Sequence, residues 1–271
     1  MSWPADLSKN PFLLTKWYLD CVAESGDAVI LYVADLLWKG LTLHYQSALT
    51  VLNGEVRSTS SLRGGETPAI EYSVIRLSQP ELKLEGRWSA LRPPVRRTVF
   101  ENAHGSVDWH CLQPMSHADV RLRGNARITG LGYVECLTLS LPPWQLPLIS
   151  LNWGRYLSQQ DALVWIDWQG QGSDHRQMVI HNSKEQSVIS ITESEVVLAD
   201  MGGRLELDRG LILRQGQLGD TVFPGISRLA GSLPRSILSV NECKWRSRGR
   251  LRTGETESCG WAIHEVVEWK H

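Results

Sequence analysis

Ala69-Ile70-Glu71-Tyr72-Ser73-Val74-Ile75-Arg76-Leu77 and, just downstream, Glu81-Leu82-Lys83-Leu84-Glu85-Gly86-Arg87-Trp88 decide the fold class. Apolar and polar side chains alternate along both, as they do in antiparallel strands with one wet face. The same signature extends outward. Gly40 to Leu52 is β-rich with partial alternation, and Arg176–Ile180, Ser187–Leu198, Gly203–Gln217 and Trp261–Trp269 read as further strands. Gly-Gly, Asn-Gly, Pro-Pro, Glu-Ser-Gly-Asp and Met-Gly-Gly turn signals separate them at short spacing. The pattern predicts an antiparallel all-β protein, a barrel or a sandwich. Helical signal is thin. Asp27 to Lys39 reads either as an amphipathic helix or as two strands, and Ile226–Gly231 as one short helical turn before Pro234.

Three prolines interrupt the strand patterning in Leu141-Pro142-Pro143-Trp144-Gln145-Leu146-Pro147. Proline ends strands or confines them to edges, so a chain would leave one sheet for another here. The resulting expectation is two small β-barrels in tandem, 1–143 and 144–271, each of ordinary domain size. No repeat of 20–50 residues and no low-complexity linker stands out.

The 271 residues carry 28 basic and 29 acidic side chains, a formal net charge of −1. Neither a basic nucleic-acid-wrapping field nor an acidic tail follows from that balance. With 42% hydrophobic and 21% charged residues the chain can bury a core. Tryptophan is unusually frequent, at 12 against 3 Phe and 6 Tyr. Cys21, Cys111, Cys136, Cys243 and Cys259 are odd in number and form no CxxC pair, which predicts reduced thiols rather than a zinc site or a disulfide framework. Met1-Ser2-Trp3-Pro4-Ala5-Asp6 shows no basic segment leading into an apolar one, and no stretch is long enough to span a bilayer. The expectation is a cytoplasmic protein with no integral membrane segment, for which peripheral membrane contact stays open.

Nucleotide, P-loop, HExxH and GxSxG signatures are absent. His104, His110 and His117 do not share a strand face, so no metal and no cofactor is expected. What remains is a central cluster. Asp108-Trp109-His110-Cys111 precedes Gly130-Leu131-Gly132-Tyr133-Val134-Glu135, and Trp144, Trp153-Gly154-Arg155 and Trp165-Ile166-Asp167-Trp168 follow. Residues i and i+2 of a strand share a face, which pairs Tyr133 with Glu135 and Trp165 with Asp167. If the Tyr133/Glu135 face lines the barrel lumen, the carboxyl group sits in an apolar, indole-walled pocket. Burial there disfavours its charged form and equips it to donate a proton. A proton placed on an alkene leaves a carbocation, which indole faces stabilise. The same residues also read as core fillers with Glu135 as a surface or ion-paired carboxylate. Arg155 and Asp167 read as an ion pair or as groups that orient a substrate carbonyl.

Lys16-Trp17-Tyr18-Leu19-Asp20, Gly130 to Glu135, Pro143-Trp144, Leu151-Asn152-Trp153-Gly154-Arg155, Leu163-Val164-Trp165-Ile166-Asp167-Trp168 and Gly260 to Glu265 together, and in this order, resemble the carotenoid 1,2-hydratase-like (CrtC/AttH-type) lipocalin superfamily. The resemblance implies two packed lipocalin-like β-barrels. It also implies chemistry on apolar substrates: hydration of carotenoid precursors, or cyclisation of tocopherol-precursor and Diels–Alder type. In the carotenoid hydratase the acid site is a His-x-Trp with a Tyr-x-Asp. Tyr133-Val134-Glu135 matches the second pair with Glu for Asp, and Trp109 matches the tryptophan of the first, but Val107 stands where the histidine is expected. Another base, His110 or Asp108, would have to serve hydration.

The reading is a cofactor-free lyase or isomerase acting on a hydrophobic polyene, terpenoid or polyketide-like molecule by acid-assisted cyclisation, isomerisation or hydration. Glu135 is the expected proton donor and Tyr133 its partner. Trp109, Trp144, Trp153, Trp165 and Trp168 are the expected pocket walls, with Arg155 and Asp167 beside them. The alternative is a non-catalytic lipocalin-type carrier or sensor of an apolar small molecule.

Overall fold

A computed structural model describes residues 12–63, 65–200, 202–208, 210–221 and 235–269. The N-terminal stretch Met1–Asp6 and the helical turn predicted at Ile226–Gly231 lie outside the described residues. The contacts group the chain into two units, 1–146 and 147–271.

The first unit contains β1 (Phe12–Val22), β2 (Ala28–Trp38), β3 (Leu41–Leu52), β4 (Glu55–Ser61), β5 (Ala69–Glu71), β6 (Val74–Gln79), β7 (Leu84–Ala90), β8 (Val95–Asn102), β9 (Gly105–Arg121) and β10 (Arg127–Leu139). They form one antiparallel sheet in the order β4-β3-β2-β1-β10-β9-β7-β6-β5, with β8 added to β9. Trp17, Leu19, Leu31, Val33, Ile75, Leu77, Leu84, Trp88, Val120, Ile128 and Val134 converge from strands all along that order into one buried core, so the sheet curls into a barrel around them.

The second unit contains β11 (Leu148–Leu157), β12 (Ala162–Gly170), β13 (His175–His181), β14 (Lys184–Gln186), β15 (Val188–Ile191), β16 (Glu195–Leu198), β17 (Arg204–Leu207), β18 (Leu211–Gln217), β19 (Asn241–Thr253) and β20 (Thr256–Glu268). Its sheet runs β14-β13-β12-β11-β20-β19-β17-β16-β15 with β18 added to β19. This is the order of the first unit with every label advanced by ten. Tyr156, Leu163, Trp165, Val179, Val196, Leu198, Leu205 and Leu251 form its core. The protein is all-β, with two lipocalin-like antiparallel barrels in tandem.

The alternating stretches form strands, but several are hairpins. Ala69–Leu77 folds back at Tyr72-Ser73, where Glu71 pairs with Val74 and Tyr72 adopts a φ of 55°. Ser187–Leu198 divides around Thr192–Ser194, and Gly203–Gln217 divides into β17 and β18. In Glu81–Trp88 the strand begins only at Leu84, after the 3-10 turn Pro80–Leu82 and Lys83 at a φ of 51°. None of these turns carries the Asn-Gly signature, so alternation runs through them unbroken. Asn53-Gly54 does carry it and joins β3 to β4, with φ of 52° and 81°. Asp27–Lys39 is neither a helix nor two strands: it holds the single strand β2, whose Ala28–Val33 half is buried on both faces. A continuous apolar run is what such a strand requires.

Pro114 falls in β9 where two register shifts against β10 mark a bulge between Cys111 and Ser116. On its far edge β9 pairs with β8 before that point and with β7 after it. A proline, which has no N–H to donate, fits the place where the strand changes neighbours. No helix among the described residues is long and apolar enough to cross a membrane.

Candidate functional site

In the first unit Val134 points into the barrel core, and strand alternation therefore turns Tyr133 and Glu135 to the opposite face. The expected lumen-facing carboxylate is thus an outer-face one. That face is nevertheless buried around it: Tyr18, Asp20, Ile30, Tyr32, Trp109, Cys111 and Tyr133 are all inaccessible or nearly so. Glu135 itself is partly exposed.

The antiparallel register sets Tyr18 opposite Glu135 and Asp20 opposite Tyr133 on β1 and β10, and Cys111 opposite Glu135 on β9. Glu135 Oε2 accepts hydrogen bonds from Trp109 Nε1 at 2.6 Å and from Tyr133 Oη at 2.7 Å. Tyr133 is also hydrogen-bonded to the Cys111 thiol. Burial holds the Tyr133 phenol well above the usual tyrosine range, with the Cys111 and Glu135 charges adding to it. Burial likewise pushes the Cys111 thiol well up; the Tyr133 bond opposes the shift, and Glu135 and Asp20 reinforce it. Tyr133 is therefore a phenol donor and Cys111 a protonated thiol, not a nucleophile. Tyr18 donates to Asp20 Oδ2 at 2.9 Å, and its ring stands edge-on to Tyr133 and Tyr32 at 5.9 and 5.4 Å.

Of the residues singled out in the sequence, Trp109, Tyr133 and Glu135 come together. Trp144 belongs to another cluster, edge-on to Phe12 at 5.9 Å and Trp38 at 5.3 Å. Val107 is a buried core residue, and His110 pairs with Cys136, on the face away from Trp109 and Glu135. Burial and the Arg96 charge lower the His110 pKa.

The other five predicted residues belong to the second unit. Trp165 fills that barrel's core, bonded through Nε1 to Asn152 Oδ1 at 3.1 Å. Gly154 makes room for it, since a Cβ there would lie 2.1 Å from the indole Cζ2. Asp167 is buried on the same side and bonds His175 Nε2 at 2.6 Å. Arg155 is turned to the other face, where it donates to the Trp261 carbonyl at 2.8 Å, so alternation separates the Arg155–Asp167 pair that the sequence suggested. Trp153 and Trp168 share the outer face with Arg155 and are buried.

Trp153 pairs with Glu265, which pairs with Lys244, as Tyr18 pairs with Glu135 and Glu135 with Cys111. Glu265 therefore occupies in the second barrel the register position that Glu135 holds in the first. Its environment differs. Lys244, fully buried, binds Glu265 and lies 3.6 Å from Glu242, which Arg214 contacts at 3.3 Å. Its ammonium also stands 5.7 Å from the Trp153 ring centroid. Beside it the neutral His264 bonds Ser247 Oγ at 2.9 Å and stacks on Trp245. Burial, then the Lys244 charge, lowers the His264 pKa to about 4.

Sequence reasoning passed over Asp20, Tyr18 and Lys244. Glu242, Lys244, Arg246, Arg248, Arg250 and Arg252 alternate as a solvated charged face does, and only the first two are buried. Asp20 gave one signal: Tyr18-Leu19-Asp20 repeats the Tyr-x-acid spacing of Tyr133-Val134-Glu135.

Three solved structures superpose on nearly the whole chain. CghA in complex with Sch210972 matches with a TM-score of 0.55 at 10% identity, over 95% of this chain and 89% of that one. An AttH-type protein from Nitrosomonas europaea matches at 0.56 and 8%, over 98% and 96%. Kievitone hydratase from Nectria haematococca matches at 0.54 and 8%, over 97% and 90%. The chain shares the lipocalin-like two-barrel fold of these structures. No family model matches the sequence, and neither does any curated sequence. At these identities the likeness of this lipocalin-like protein to its neighbours is one of fold. Among the described residues no group of three His, Cys, Asp or Glu side chains is placed to hold a metal ion.

Proposed function

We propose that the protein is a cofactor-free enzyme of the lyase or isomerase type that cyclises, isomerises or hydrates a hydrophobic polyene, terpenoid or polyketide-like molecule at the outer face of β9 and β10. The observation that carries this reading is the Trp109–Glu135–Tyr133 triad: a partly exposed carboxyl group held by two donors among buried aromatic side chains. When the protonated acid gives its proton to an alkene or carbonyl, the carboxylate left behind is stabilised by an indole N–H and a phenol O–H already in place. Preorganised donors of this kind need no rearrangement as charge develops. The cation formed on the substrate would find the Trp109, Tyr18 and Tyr133 rings nearby, each contributing about 0.5–2 kcal/mol. That a hydratase is among the structural neighbours supports the reaction class.

The carrier reading has less support. A carrier of the lipocalin kind holds its ligand inside the barrel, and here Trp17 and Trp88 occupy the first barrel's interior and Trp165 the second's.

Tryptophan fluorescence titrated with polyenes, terpenoids and fatty acids, followed by mass spectrometry of each binder, tests the proposal. An altered ligand whose conversion falls by two to four orders of magnitude in Glu135→Gln, with binding retained, is the expected result. A ligand bound and recovered unchanged would instead establish a carrier. Conversion unaffected by Glu135→Gln would remove the site.

A further inference from the structure

Asp20 is a fully buried carboxylate that the reaction above does not use. It sits in a crossed arrangement with the proposed acid. Tyr18-Leu19-Asp20 on β1 and Tyr133-Val134-Glu135 on β10 run antiparallel, so each tyrosine lies across from the other strand's carboxylate. Each tyrosine donates to the carboxylate two residues along its own strand, Tyr18 to Asp20 at 2.9 Å and Tyr133 to Glu135 at 2.7 Å. The two rings meet edge-on at 5.9 Å. Cys111 ties the halves together: its thiol is hydrogen-bonded to Tyr133, and the charges of both Glu135 and Asp20 act on it. Asp20 is the diagonal cross-strand neighbour of Glu135 on the same face, a separation of about 7–8 Å in such pairs, so the two charges act on each other.

We infer that Asp20 is a positioning residue that sets the protonation of Glu135, the two Tyr–acid pairs acting as a single titrating unit. The inference rests on Glu135 being the acid of the proposed reaction. An ionised Asp20 disfavours a second negative charge on Glu135 and so keeps the donor loaded with its proton. This meets a need that the outer-face location of Glu135 creates, since partial exposure by itself does little to hold a proton on a carboxyl group. The other titratable or charged groups that β1, β2, β3, β8, β9 and β10 place on this face, among the described residues, are Lys16 and Tyr32, whose cation and ring lie 5.0 Å apart, Tyr45, Arg97, which pairs with Trp109, and, further along β9 and β10, His117, Arg121 and the Asp119–Arg127 pair. Lys16 and Arg97 favour the charged form of Glu135, and with Asp119 paired to Arg127, Asp20 is the carboxylate beside Glu135 that opposes them.

The test needs no substrate. Trp109 Nε1–H donates directly to Glu135, so its resonance in protein carrying 15N-labelled tryptophan, assigned with Trp109→Phe, reports the ionisation of Glu135. In the unsubstituted protein the resonance should follow pH in two steps. In Asp20→Asn it should follow a single step, displaced to lower pH by at least half a unit. Tyr18→Phe keeps both carboxylates and the ring while removing the hydroxyl that Asp20 accepts, and it too should alter the curve. This second variant decides the matter if Asp20→Asn does not fold. A Trp109 curve identical to that of the unsubstituted protein in either folded variant overturns the inference. Because the readout is protonation and not turnover, failure here is distinct from failure to find a converted ligand.

Discussion

A Cβ on Gly132 would lie 2.5 Å from the Asp20 carbonyl oxygen, 2.7 Å from Ala118 Cβ and 2.8 Å from Trp88 Cδ1. Two of these neighbours are backbone or backbone-anchored, so little can give. Gly132→Ala is expected to destabilise the first unit by about 1–3 kcal/mol, read as a lowered urea midpoint. Because the Trp88 indole donates to the Asp20 carbonyl at 2.7 Å, the same substitution should also disturb the Trp109 resonance next to Glu135. At His264 the effect depends on pH. The folded protein keeps this ring neutral down to about 4, whereas an unfolded chain takes up the proton near 6.5. Between those values the unfolded state binds more protons, so stability falls as the pH drops from 6.5 towards 4, by roughly 3 kcal/mol in all. Urea midpoints measured at pH 7 and 4.5 should draw together in His264→Gln; an equal loss with and without the substitution would show that His264 is not responsible.

At the level of elements, β19 carries the most consequential buried charge. Lys244 is held between Glu265 and Glu242, and truncating it removes the buried cation that both carboxylates share, leaving Glu242 to Arg214. Lys244→Ala is expected to cost about 3–5 kcal/mol in chemical denaturation, far more than truncating the exposed Arg250 of the same strand. This element also shows what a sequence can and cannot disclose. Strands were legible because period-two alternation follows from the pleat itself. Lys244 was not, because its alternation with Glu242 and Arg246 matches a solvated face, and only the other strands decide which end of that stripe is covered. Likewise Tyr133 and Glu135 were legible as neighbours on one face, but which face looks inward depends on the residues opposite, and Val134 took the core. The hairpin at Tyr72-Ser73 escaped notice for a local reason: tyrosine at a positive φ is uncommon and signals no turn.

Across the whole molecule, the strand order of the first unit recurs in the second with a carboxylate at the same register, Glu135 in one and Glu265 in the other. No sequence repeat announced this, since the shared feature is pairing order and the side chains have diverged: Cys111 faces the acid in one barrel, Lys244 in the other. The lysine neutralises its carboxylate and occupies it; the thiol does neither. Substitution should therefore separate the two roles. Glu265→Gln is expected to lower the stability of the second unit and leave conversion of ligand per folded molecule intact, whereas Glu135→Gln should do the reverse. Parallel denaturation and turnover measurements on the two variants check this, and loss of conversion in Glu265→Gln with the fold intact would place the chemistry in both barrels.

In the first barrel the opening strand β1 lies between β2 and the last strand, β10, so Leu14 waits for Leu139 before its outer edge is satisfied. While the chain is being synthesised, β1 to β4 can emerge and pair as a meander long before β10 exists. Throughout that interval the edge of β1, with its run Phe12-Leu13-Leu14-Thr15-Lys16-Trp17-Tyr18-Leu19, is an apolar template open to any passing strand. The nascent first unit is thus open to edge pairing between the translation of Val22 and that of Leu139, and a chaperone that shields strand edges would serve it in that window.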